Sequence, residues 1–65
     1  MADIDALKAR IKSLNARATQ AKMDLHDLSE ELPVGWQGIP EVAARAHDLY
    51  AELTAAREEL KAAGG

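Results

Sequence analysis

The sequence predicts an all-α protein, an antiparallel two-helix hairpin, on three observations. Apolar residues recur at alternating steps of three and four along both halves of the 65-residue chain. A break containing Pro33, Gly35, Gly38 and Pro40 separates the two runs, and Ala, Leu, Glu, Lys and Arg dominate the composition. Such a composition with a heptad period belongs to long helices and coiled coils.

The first helix is expected over about residues 3–32. Asp3 suits the N-cap, where a carboxylate accepts from first-turn amides, and Asp5 complements the helix dipole. Its seam is Ile4, Leu7, Ile11, Leu14, Ala18, Ala21, Leu25, Leu28 and Leu32, and it would run about 43 Å. Pro33 disfavours helical geometry at Leu32 and stops it. The loop occupies about residues 33–39, with Gly35 and Gly38 able to take positive φ. The second helix is expected over about residues 40–63, opened by Pro40, with Ile39, Val42, Ala46, Leu49, Leu53, Ala56, Leu60 and Ala63 as its seam. Arg57 and Lys61 suit its C-terminus, before Gly64 and Gly65.

A short loop makes the helices antiparallel neighbours. The best register opposes Leu25 to Val42, Leu14 to Leu53 and Leu7 to Leu60, and sets Ala18 against Leu49 and Ile11 against Ala56. It also places Asp24 by Arg45, Arg17 by Glu52 and Arg10 by Glu59, whereas a one-heptad shift would bring Asp24 near Glu52. A chain this small buries only about 60% of its unfolded surface and needs a staple. With no cysteine, disulfides and thiolate zinc are excluded, so a homodimer, or a tetramer, is expected, two hairpins pairing into a four-helix bundle. Trp36 would then fold over the bundle end.

Charge divides along the chain. Lys8, Arg10, Lys12, Arg17 and Lys22 dominate residues 1–23, while acidic residues from Asp24 onward face only Arg45, Arg57 and Lys61. The opening MADIDALKAR lacks the unbroken apolar run of a signal peptide, and no stretch approaches a membrane span. A soluble, cytoplasmic protein with no membrane partner is expected. It should not be an enzyme, for there is no Gly-rich phosphate loop and no nucleophile beside a base. Nucleic acid is disfavoured as a partner, because Glu52 and Glu59 partly neutralise the basic helix and no aromatic platform accompanies it.

The segments LNARATQAKMDLHDLSEELPVGW and IPEVAARAHDLYAELTAAREEL resemble the small Rop-like proteins encoded among bacterial nitrogen-fixation genes. The resemblance spans nearly the whole chain and is most specific over residues 18–33 and the following tryptophan. It implies a Rop-like helical hairpin, a rod-shaped four-helix dimer, and an association with nitrogenase-producing cells, in which a non-enzymatic accessory role beside a nitrogenase-related protein partner is expected. It also implies metal binding in some members, carried here only by MDLHD, which is Met23, Asp24, Leu25, His26 and Asp27.

In the heptad frame Leu25 and Leu28 face inward, while Met23, His26, Asp27 and Glu30 form an outer patch through i, i+3 and i+4 neighbours. Ala16, Thr19 and Gln20 extend that strip without charge, so Thr19, Met23 and His26 are candidates for docking a partner. The alternative is a site for a divalent transition ion (nickel, zinc or iron) at His26, Glu30 and Asp27, completed by ligands from elsewhere. His47 lies near the same end and is read as a solvated surface residue.

Overall fold

The computed structural model describes residues 3–64. Two helices, α1 (Ile4–Glu31) and α2 (Ile39–Ala62), form a hairpin measuring 48 × 15 × 12 Å. A single 3₁₀ turn, Trp36–Gly38, leads into α2. Asp3 caps α1 as its sequence position requires, its Oδ1 accepting from the amides of Asp5 at 3.0 Å and Ala6 at 3.3 Å. Leu32 leaves the helical region with ψ 142, the extended geometry that a following proline imposes, and α1 ends there.

Ile39 and Pro40 open α2, where a missing amide hydrogen costs nothing. At its end the amide of Ala63 donates to the carbonyls of Glu59 and Leu60, and that of Gly64 to Lys61 at 3.1 Å. Gly64 takes φ 83, the left-handed conformation that lets the last turn close on itself.

The core lies along the middle of the rod. Leu7, Leu14, Ala18 and Ala21 of α1 meet Ala46, Leu49, Leu53 and Ala56 of α2, with Ile11, Leu25 and Leu60 packed against them. Leucines and alanines share the buried seam in equal number, so large side chains have small neighbours to pack beside. The register is marked by Asp24, whose Oδ2 is 3.5 Å from the Arg45 guanidinium. The other two expected ion pairs, Arg17–Glu52 and Arg10–Glu59, do not form; Arg57 instead donates to Asn15 Oδ1 at 3.3 Å. These flanking side chains are long and solvated, so proximity alone does not hold them together.

The seam frays toward the loop. Leu32 and Ile39, both expected in the core, are exposed, as is Ala63 at the other end. Trp36 stands 59% exposed on the single hairpin. Within the loop only Gly35 uses positive φ, at 78; Gly38 sits at −83 in right-handed helical space. A Cβ on Gly35 would stand 3.3 Å from Leu28 Cδ1, so this glycine serves both the turn and its packing.

Among the described residues, Leu53 is the largest fully buried side chain. Leu53→Ala is expected to destabilise the fold by about 2–5 kcal/mol, against under about 1 kcal/mol for Leu32→Ala at the frayed end. Urea unfolding followed by helical circular dichroism, at one protein concentration, measures both.

Candidate functional site

The outer face of α1 is where the sequence placed it. Leu25 packs against the core, and the neighbouring Met23 side projects outward, 53% exposed. His26 and Thr19 share that exposure, the histidine side chain at 66%. The patch rests on an uninterrupted helix anchored by the core, which fixes the positions of its side chains without recruiting them for packing. Exposed methionine on a rigid helix is well suited to contact, because its thioether adapts to an irregular opposing surface.

Gln20 departs from the expected strip. Its Nε2 donates to Asp24 Oδ1 at 3.0 Å, which draws it to the flank of the hairpin. Asp24 thereby joins Gln20 and Arg45, bonding along α1 and across to α2 with its two oxygens. The three line a shallow open groove of about 470 Å³ together with Arg17, Asp48 and Glu52. The i, i+4 spacing of Gln20 and Asp24 was the sequence signal for this contact. Alternating charge suits the groove to a solvated flank and leaves no concentrated field for an anion.

The proposed metal ligands are adjacent but divergent. His26 Nε2 is 3.4 Å from Glu30 Oε1, while Nδ1, on the other side of the ring, is 3.7 Å from Asp27 Oδ1. One imidazole nitrogen therefore meets one carboxylate, and no single ion can take that nitrogen together with both. Ser29 Oγ donates to the His26 backbone carbonyl at 2.8 Å and does not engage the ring. His47 faces its own neighbour, with Nδ1 3.3 Å from Asp48 Oδ1. Among the described residues no group of three or more metal-ligating side chains converges. The donor set of one chain does not fit a resident metal centre, which needs three or four ligands.

A second exposed surface went unmarked in the sequence reading. Leu32, Val34, Trp36 and Ile39 are all exposed around the loop. The signal was their position: each lies beside a proline or glycine, past the last turn that could bury it.

A model of the Rop-like family matches residues 2–64. The chain belongs to the Rop-like family. Curated relatives agree with that extent. A UPF0437 protein of Azorhizobium caulinodans is 52% identical over 61 residues, covering 94% of this chain and 88% of the relative. One from Sinorhizobium fredii is 47% identical over 62 residues, covering 95% and 92%. A Frankia alni relative, described as lying in the nifX-nifW intergenic region, is 49% identical over 51 residues, or 78% of this chain and 62% of its own length. No solved structure matches the chain. The Rop-like assignment and the helical hairpin agree with each other, and among the described residues no helix is long and apolar enough to cross a membrane.

The Asp24–Arg45 contact of this Rop-like chain is half exposed on the arginine side. A double-mutant cycle on Asp24→Ala and Arg45→Ala is expected to give a coupling of under about 1 kcal/mol that fades with added salt. Thermal unfolding of the four proteins at low and high ionic strength is the measurement.

Proposed function

We propose that this protein is a non-enzymatic, cytoplasmic accessory protein of nitrogen fixation, working as a dimeric helical module that docks a nitrogenase-related protein. The observation that carries the reading is the strip of Thr19, Met23 and His26, exposed on an unbroken helix whose core does not need it. The biological setting is supported by the family and by the Frankia alni relative in the nifX-nifW region. Dimerisation is supported by what one hairpin leaves half-covered: Ile11, Leu25, Leu28, Val42 and Ala43 are only partly buried, and Tyr50 is exposed. A second hairpin laid along these edges completes a four-helix core. An exposed face with a methionine at its centre then remains for a different protein.

Replacing Met23 and His26 together with lysine is expected to leave helicity and the sedimentation of a dimer unchanged while abolishing capture of the partner from nitrogen-fixing cell extract. Undiminished capture removes the strip as the docking site. A monomer at micromolar concentration removes the dimer.

The His26–Glu30 pair favours one further reading, a metal-handling role in nitrogenase assembly. Here His26 Nε2 and Glu30, 3.4 Å apart, contribute two ligands to a divalent ion and another chain supplies the rest. Titration calorimetry with nickel, zinc and ferrous ions at neutral pH is expected to give heat that His26→Ala abolishes. Equal heat from the two proteins ends this reading.

A further inference from the structure

The end of the hairpin combines features that the core does not explain. Leu32, Val34, Trp36 and Ile39 expose apolar surface within eight residues of chain, Val34 at 70%. They are not on a slack loop. The amide of Val34 donates to Glu31 at 3.0 Å, that of Trp36 to Pro33 at 3.3 Å, and that of Gly38 to Gly35 at 2.9 Å. Successive turns thus hold the tip in one shape, which lowers the ordering cost of any contact it makes. Tryptophan is, with tyrosine and arginine, enriched at the energetic centres of interfaces.

Charge around this tip has one sign. Between Lys22 and Arg45 the chain carries Asp24, Asp27, Glu30, Glu31 and Glu41 and no lysine or arginine. Glu41 lies in the first turn of α2, where the helix dipole welcomes it. Glu30 and Glu31 lie in the last turn of α1, at the negative end of the dipole, and no basic residue accompanies them there. They oppose the stability of their own helix. A local conflict of this kind is expected where a partner resolves it.

We propose that the tip is a docking knob for a Lys/Arg-rich amphipathic helix of another protein. Leu32, Val34, Trp36 and Ile39 meet its apolar face, and Glu30, Glu31 and Glu41 meet its basic flanks. The carboxylates turn away phosphate surfaces, whether nucleic acid or anionic membrane. They also set two tips against each other. The basic first half of α1 in a second copy is no substitute, because its apolar face is already spent on the hairpin: Leu7 and Leu14 are buried. The four apolar residues of this surface lie outside the Thr19, Met23 and His26 strip; Glu30 alone borders both, 3.4 Å from His26 Nε2.

Trp36 is the only tryptophan and reports directly on the tip. The full chain is titrated with a synthetic Leu/Lys amphipathic helix that contains no aromatic residue. Parallel titrations use a Leu/Glu helix with the same apolar face, phosphatidylcholine vesicles, and the protein itself over a concentration series. The expected result is a shift of Trp36 emission to shorter wavelength with the Leu/Lys helix alone, weakened about tenfold by high salt. Glu31→Lys with Glu41→Lys should weaken it about tenfold or more with unchanged circular dichroism, and Val34→Ser should weaken it as well. An equal response to the Leu/Glu helix, a shift on vesicles, or a shift with protein concentration alone each overturns the proposal, as does unchanged emission in the Leu/Lys titration.

Discussion

Among the described residues, half of the buried core is alanine. Ala18, Ala21, Ala46 and Ala56 interleave with Leu7, Leu14, Leu49 and Leu53, and this composition governs what the molecule can be. Small side chains in a seam let two helices lie close, and they bury little area while doing so. The resulting hairpin is long and narrow. Its hydrophobic gain is modest for the number of residues it orders, and its partly covered edges follow from the same economy of side-chain volume.

Polar interactions refine this arrangement without sustaining it. The Asp3 cap closes the first turn, and Asp24 ties Gln20 and Arg45 along one flank, all at the surface. Among the described residues no polar or charged side chain is buried, so nothing polar enforces register from within. The apolar seam holds the two helices together, and the Asp24–Arg45 contact marks its register at the rim. The outward strip on α1 is a by-product of that register: once Leu25 turns inward, Met23 and His26 have nowhere to go but out.

The middle of the rod was legible because periodicity there has only one solution. Ile4 to Glu31 and Ile39 to Ala62 follow from a three-and-four pattern bounded by Asp3, Pro33 and the 35–38 turn. The ends were less so, for a physical reason. A heptad pattern marks which face a residue occupies, and it is silent on whether a facing residue exists at that height. Leu32 and Ile39 keep the seam's face but flank the loop, where they stay 40% and 37% exposed, and Trp36 between them is exposed as well. Side-chain direction was equally hidden. His26, Asp27 and Glu30 are neighbours as spacing required, but the two carboxylates address different ring nitrogens, a matter of rotamers that sequence separation does not encode. Gln20 likewise left the outer strip for Asp24.

The 48 Å length has a mechanical consequence. Neither helix contains an internal proline or glycine beyond the first turn of α2, and so the rod has no joint at which to bend. A body gripping the flank of α1 and another gripping the loop would be held at a set distance and angle. Their spacing would be dictated by the backbone, as a strut dictates it, with none of the slack that a disordered tether introduces.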